Sequence, residues 1–243
     1  KTYNILNMNI LLIGYGKMGK MIEEIALSRH HKIAHIIDND SDWDSVGSKQ
    51  IDVAIDFSVP DSAVDNIVEC FNRYIPIVVG TTGWYGRLTE LKELANKEQR
   101  GLFVASNFSI GMYIFNKINS QLSILMNDQP SYDVSINEIH HIHKLDAPSG
   151  TAITLAETII DNLDRKTKWE LDTHKEESNI LNITSERIGE VPGTHTITYS
   201  SEVDDIIITH QAHNRKGLAL GAILAAEFMK DKKGFYNMKD LIK

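Results

Sequence analysis

Gly14-Tyr15-Gly16-Lys17-Met18-Gly19 is a strict G-x-G-x-x-G, and its surroundings constrain the fold more than any other stretch. Before it runs Ile10-Leu-Leu-Ile13, short and apolar enough for a buried parallel strand. After it, Met18, Met21, Ile22 and Ile25 share one helical face. A second strand, Ile33 to Ile37, ends at the acid Asp38. Strand, glycine turn, helix, strand and acid in that order make the dinucleotide-binding fingerprint, where a bare glycine turn would carry little weight. Gly14 allows the tight turn, Gly16 lets backbone approach a pyrophosphate, and Gly19 permits close helix–strand packing. Asp38 accepts hydrogen bonds from a ribose. Gly14 to Gly19 and Asp38 are therefore candidate cofactor contacts. A carboxylate at Asp38 repels a 2′-phosphate, and Asn39 and Asp40 supply no arginine to hold one. NADH is thus expected in preference to NADPH.

The alternation continues through a strand at 51–57 and a helix from Pro60 with Ala63, Ile67, Val68 and Phe71 inward. A strand at 75–79, a helix at 88–97 and a strand at 102–105 follow. This predicts an α/β fold with a Rossmann-like, doubly wound parallel sheet. Ligands on such sheets bind at the carboxyl ends of the strands. Gly80, Thr81 and Thr82 after the fourth strand, and Ser106, Asn107 and Phe108 after the fifth, are further cofactor candidates. Ordinary turn chemistry is the competing explanation for them.

Beyond Ser109 the pattern changes. A long helix is expected over 110–126, with Ile114, Ile118, Leu122 and Leu125 inside. A strand over 132–139, a helix over 152–163, a polar loop over 164–177, and strands at 179–184, 195–199 and 206–210 complete a second, α+β domain with an open mixed sheet. A last helix carries Leu218, Ala222, Ala225, Ala226 and Met229 on one face. The expected domains are 8–107 with 214–243, binding the dinucleotide, and 108–213, binding substrate. Two crossings between them make a hinge, with closure over substrate as the expectation. Residues 1–7, which precede Met8, are read as a tag remnant or an upstream extension and are set aside.

The second domain holds the densest chemistry, Glu138-Ile-His140-His141-Ile-His143-Lys144-Leu-Asp146-Ala-Pro148-Ser149-Gly150-Thr151. Pro148 and Ser149 are helix-start signals, and a helix start offers free N–H groups and partial positive charge to an anion. The stretch reads as a catalytic anion-binding loop, as a solvated helix cap, or as a metal site. Metal is the weakest, because the spacing fits no zinc pattern and Cys70 is the only thiol.

A formal net charge of -8 over 243 residues argues against a nucleic-acid binder. One cysteine suits a reducing cytoplasm. No apolar run approaches the roughly 20 residues that cross a bilayer, so no membrane partner is expected.

The run from Glu138 to Ala152 resembles the signature of the dihydrodipicolinate reductase family, also called 4-hydroxy-tetrahydrodipicolinate reductases. Asp56-Phe57-Ser58, Gly80-Thr81-Thr82-Gly83, Asn107-Phe108-Ser109, Arg187-x-Gly189 and Gly193-x-His195 resemble its other landmarks, in order. The resemblance covers the chain from Met8 to the last helix. It implies NAD(P)H-dependent reduction of 4-hydroxy-tetrahydrodipicolinate, a cyclic dicarboxylate, to tetrahydrodipicolinate in the diaminopimelate and lysine pathway. It implies a homotetramer joined through the second domains' sheets, with the final helix returning to the first domain. It gives His140 as catalytic proton donor or acceptor and Lys144 as proton donor. His141, Ser149, Gly150 and Thr151 become substrate contacts, and Thr81, Thr82 and 106–108 cofactor contacts. No metal is implied. The glycine loop is one residue shorter than in some members, and Ile142 stands where others carry arginine or another polar residue. Two rival classes remain: a redox-sensing dinucleotide-binding protein, which needs no proton donors, and a metal-dependent hydrolase.

Overall fold

The computed structural model describes residues 7–38, 40–46, 51–173 and 177–242, with 40–42 by backbone alone. The extension reading of residues 1–6 and the role weighed for Asn39 lie outside the described residues. In chain order the elements are β1 (Asn9–Ile13), α1 (Lys17–Ser28), β2 (Lys32–Ile37), β3 (Val53–Asp56), α2 (Pro60–Asn72), β4 (Ile77–Val79), α3 (Leu88–Lys97) and β5 (Gly101–Val104). There follow α4 (Ile110–Asn127), β6 (Asp133–His140), α5 (Gly150–Ile160), β7 (Lys168–Leu171), β8 (Ile180–Arg187), β9 (Thr194–Ser200) and β10 (Asp205–Gln211). The chain ends with α6 (Lys216–Met229), β11 (Gly234–Tyr236) and α7 (Met238–Leu241). Contacts divide it into two compact units, one of residues up to Ile110 with those from Lys216 onward, the other Gly111–Arg215.

The first unit holds a six-stranded sheet in the order β11-β5-β4-β3-β1-β2, parallel throughout. β3, β4 and β5 are buried at every position, as strands covered on both faces must be. Leu11, Ile13, Ala54, Ile77, Val79 and Leu102 face Ala63, Ile67, Phe71, Leu91 and Ala95 from α2 and α3. α6 packs against α1 and against β3, β4 and β5. The order reverses around β1, whose neighbours are β2 and β3, and this switch point places the glycine turn, Asp38 and Phe57-Ser58 at adjacent strand ends.

The second unit holds a mixed five-stranded sheet, β10-β9-β6-β8-β7, with β6 and β7 parallel to β8 and β9 antiparallel to β6 and β10. α4 and α5 cover one face. Strand period two sends Val134, Ile136, Glu138 and His140 of β6 to that face, so its last two members extend a hydrophobic row with charge. Register then decides the neighbours. Glu138 lies opposite Ser185 on β8 and His195 on β9, and His140 opposite Arg187.

Several expectations fail in detail. The inner face of α4 is Met112, Phe115, Asn119, Ser123 and Met126, while Ile114, Ile118 and Leu125 are exposed. Apolar residues occur on both sides of the helix, and the buried side includes Asn119 and Ser123, so hydropathy does not choose its side. The choice follows from close packing, because the buried Asn119 side chain donates to the Leu155 carbonyl at 3.0 Å. Val68 is likewise outward, and Asn66 and Cys70 take the buried positions on α2. The polar stretch at 164–177 contains β7, whose Trp169 and Leu171 pack on the core as it pairs with β8. Residues 174–176 of that stretch lie outside the described residues. β11 and α7 were not expected from pattern.

The neighbours Leu125 and Met126 test the α4 orientation. Met126→Ala is expected to lower unfolding free energy by about 2–5 kcal/mol, and Leu125→Ser by no more than about 0.5 kcal/mol. Urea denaturation checks both; the reverse ranking would contradict the fold.

Candidate functional site

Glu138 has no solvent exposure. Its Oε1 accepts from the Ser149 N–H (2.9 Å), the Ser185 hydroxyl (2.7 Å) and Arg187 Nη2 (3.2 Å). Its Oε2 lies 3.1 Å from His140 Nδ1 and 3.8 Å from His195 Nε2. The His140 contact falls within ion-pair distance but outside hydrogen-bond geometry, so it couples the two by charge. Burial pushes the Glu138 carboxyl up, and the close His140 imidazole together with hydrogen bonds from Ser149 and Ser185 more than reverses this. The group is held well below the usual carboxylate range and stays ionised.

His195 is also buried, and its ring meets that of His140 edge to face at 5.2 Å. Burial, and then the positive charge of His140, lower its pKa to about 4 against the pull of Glu138. His195 is therefore neutral at physiological pH. Its Nε2 lies 3.3 Å from Ser149 Oγ. That hydroxyl caps α5 by accepting from the Ala152 N–H at 3.1 Å. The N–H groups of Gly150 and Thr151 fall in the first turn, where a helix has no intrahelical acceptor. They are the candidate anion cradle of this unit, and the peptide between Ala147 and Pro148 leading into it is cis.

Lys144 Nζ contacts both carboxylate oxygens of Asp146 at 2.8 Å, and it is this pairing first that lowers the Asp146 carboxyl. Arg187 fastens the same loop, donating to the Asp146 carbonyl at 2.6 Å. His141 is half-buried, 3.5 Å from Arg215 Nη2, and His143 pairs with Glu190 on the surface. The structure thus gathers His140, Ser149, Gly150 and Thr151 around Glu138, with Lys144 on the loop that Arg187 ties down. Sequence reading assigned no role to Glu138, Ser185, Arg187 or His195. The available signal was the period-two row of β6, which places Glu138 and His140 on the core face.

Glu138, His140 and His195 also stand close enough to share a metal ion, their ligand atoms lying within 4.8 Å of one another. The donor types suit a cation. Arg187 already neutralises the carboxylate, however, and a cation there would face that guanidinium. The cluster fits a proton-handling site better than a metal centre.

In the first unit, Gly14 has φ +84°, and a Cβ there would sit 2.4 Å from the Phe57 carbonyl oxygen. Only glycine lets the turn after β1 pass so close to β3. α1 starts at Lys17 with Gly16 as its N-cap, no side-chain cap and no acid in the first turn, an open N-terminus suited to a pyrophosphate. The exposed Asp38 accepts from the Tyr15 N–H at 3.1 Å, and a cavity here is lined by Gly14, Tyr15, Gly16, Asp38, Phe57 and Ser58. These residues fit a dinucleotide. Gly19 is buried, with its helix against the Gly14 carbonyl, Met18 is half-buried and Lys17 exposed.

Gly80, Thr81 and Thr82 follow β4, and Ser106, Asn107 and Phe108 follow β5. Thr82 and Ser106 are exposed. Thr81 is buried, and its hydroxyl donates to Asp56 Oδ1 (2.6 Å) and accepts from the Ser58 N–H (2.9 Å), so the side chain braces the turn. Asn107 Oδ1 accepts from the Ser109 N–H at 2.8 Å. The Phe108 ring belongs to the unit's core, 5.6 Å from the ring of Phe57. Asp56, a landmark of the resemblance given no role from sequence, is buried where Thr81, Ser58 and Asn66 all donate to it; burial raises its pKa against those bonds.

Two family models match the chain: "Dihydrodipicolinate reductase, N-terminus" over residues 8–108 and "Dihydrodipicolinate reductase, C-terminus" over 111–242. The chain belongs to the dihydrodipicolinate reductase family. A relative from Christiangramia forsetii, named 4-hydroxy-tetrahydrodipicolinate reductase, is 48% identical over 97% of this chain and 98% of its own length. One of the same name from Staphylococcus epidermidis is 36% identical over 96% of this chain and 100% of its own. A solved dipicolinate-bound dihydrodipicolinate reductase from Paenisporosarcina sp. TG-14 shares the fold, with a TM-score of 0.78, 23% identity and coverage of 98% of this chain and 100% of that one. Among the described residues no helix is long and apolar enough to cross a membrane.

The buried His195 sets a pH dependence. Its folded pKa is about 4, below the ordinary 6.5, so the unfolded chain binds the extra proton first as pH falls. The stability from keeping it neutral is present above 6.5 and is lost on acidification toward 4. Glu138, depressed in the fold, adds its loss only below its own unfolded value near 4.5. Between pH 6.5 and 4.5, His195 is expected to remove about 2 kcal/mol of unfolding free energy. Urea titrations across that window check it, and a His195→Gln variant with an equally steep loss would contradict the assignment.

Proposed function

We propose that this chain reduces 4-hydroxy-tetrahydrodipicolinate to tetrahydrodipicolinate, using NADH in preference to NADPH. The observation that carries the reading is the second unit's site. A helix start with open N–H groups at Gly150 and Thr151 is tied through one carboxylate to a buried imidazole at His140. The names of the Christiangramia and Staphylococcus relatives support the same activity.

In the first unit, Gly14 to Gly19 and the α1 N-terminus would hold the pyrophosphate and Asp38 the ribose, with the 80–82 and 106–108 turns completing the cofactor contacts. The reduced nicotinamide, when bound, supplies a hydride. The protein must orient the diacid, supply one proton and let the hydroxyl depart as water. Gly150, Thr151 and Ser149 bind one substrate carboxylate at the α5 start. Lys144 exchanges Asp146 for the substrate's second negative charge and stabilises charge developing on the ring. His140 hands over the proton, and His141 borders the pocket. The proposed assembly is a homotetramer in the cytoplasm, formed through the uncovered sheet face that carries Ser135, Thr196, Thr198 and the exposed Ile207. A dinucleotide-sensing protein would not need the buried imidazole–carboxylate pair, so the reductase reading is favoured over it.

The test is loss of NADH absorbance on adding the freshly formed condensation product of aspartate semialdehyde and pyruvate. Oxidation unaffected by chelator is expected; a chelator-abolished rate, or none, overturns the reading. His140→Ala and Lys144→Ala are each expected to lower kcat by roughly 10²–10⁴, the usual worth of general acid catalysis. Rates within a few-fold of wild type in both would remove their roles. For the cofactor, kcat/KM for NADH is expected to exceed that for NADPH by about tenfold or more, equivalent to ~1.4 kcal/mol. An NADPH preference would show that Asp38 is not read as a carboxylate facing the ribose.

A further inference from the structure

The two oxygens of Glu138 face different parts of the site. Oε1 holds the Ser149 N–H, and therefore the start of α5, where the substrate carboxylate is proposed to bind. Oε2 faces His140 Nδ1. That nitrogen is cut off from solvent, whereas about a tenth of the His140 side-chain surface remains open. On the ring's far side is Gly193. A Cβ at Gly193 would lie 3.0 Å from His140 Nε2, tighter than an ordinary contact, so only glycine lets the backbone pass beside that edge of the ring. The buried nitrogen, Nδ1, thus meets a buried negative charge, and Nε2 is the ring's other nitrogen, bordered by a residue with no side chain.

We propose that Glu138 is the positioning residue of the site: it keeps a proton on His140 Nδ1, directs Nε2 at the substrate, and fixes the distance between that atom and the carboxylate cradle of α5. This deepens the proposed function and rests on its assignment of His140. In the step itself, the Nε2–H bond of the imidazolium breaks as the proton passes to the substrate. The ring is left neutral with its remaining proton on Nδ1 against Glu138, and solvent later returns a proton to Nε2. Glu138 stays ionised throughout.

The other charged groups around His140 fit this reading. Arg187 on β8 lies opposite His140 and holds Oε1, not Oε2. His195 on β9 touches the ring edge and is neutral, with His210 beyond it on β10. Lys144 and Asp146 on the following loop pair with each other. Glu138 is therefore the negative group set directly against the imidazole.

Two measurements on the full-length protein test the proposal. Glu138→Gln keeps the side-chain shape and removes the charge. Its kcat is expected to fall by about 10², and the alkaline limb of its kcat/KM profile to move to lower pH, because a carboxylate that favoured the imidazolium is gone. A variant with near-wild-type kcat, or with lowered kcat and an unmoved limb, would overturn the proposal, since a merely structural residue does not move the limb. Nitrogen-15 histidine spectra of the wild type need no variant to fold. They are expected to show neutral His140 as the Nδ1–H tautomer, and an Nε2–H tautomer would overturn the proposal. If His140→Ala retained wild-type kcat, the proposed function's proton donor would fail instead, which is a distinguishable result.

Discussion

An ionised carboxylate without solvent contact is costly, several kcal/mol even after relaxation. Glu138 is such a group, and the second unit is arranged around making it tolerable. Its partners come from β8 (Ser185, Arg187), β9 (His195), the end of its own strand (His140) and the start of α5 (Ser149). Each partner that stabilises the charge is thereby fixed in place. The cradle, the imidazole and the loop bearing Lys144 have defined positions because one buried charge must be satisfied.

The first unit uses the same device with another acid. Asp56, at the end of β3, accepts from Ser58, Thr81 and Asn66. The turns after β3 and β4 are held to each other and to α2 through that carboxylate. These turns stand beside the glycine loop at the switch point, where a parallel sheet offers its ligand site. Among the described residues two buried acids, one per unit, thus fix the loops proposed to bind ligand, beside the glycine loop and Asp38 proposed to hold the cofactor.

The fold class was legible because its signals are local. Fully apolar short strands, a glycine turn and helix-period faces need only a few neighbouring residues. What escaped depends on distant ones. The side of α4 that packs inward is chosen by Asn119 reaching Leu155, not by hydropathy. β7 looks like a polar loop and becomes a strand by pairing with β8. In the site, the histidines and lysine of one contiguous stretch were visible as chemistry. Glu138 belonged to that stretch, yet its importance depends on sheet register, which brings Ser185 and His195 beside it from 47 and 57 positions away. Thr81 was chosen for its place at a strand end, but only coordinates show its hydroxyl turned inward to Asp56.

The most direct measurement of the account is a crystal structure of this protein with pyridine-2,6-dicarboxylate, the planar diacid type present in the Paenisporosarcina structure. One carboxylate is expected on the N–H groups of Gly150 and Thr151, the other near Lys144 Nζ, and the ring edge toward His140 Nε2 with Glu138 still at Nδ1. A diacid bound away from the α5 start, or His140 rotated so that Nδ1 faces the ligand, would contradict it.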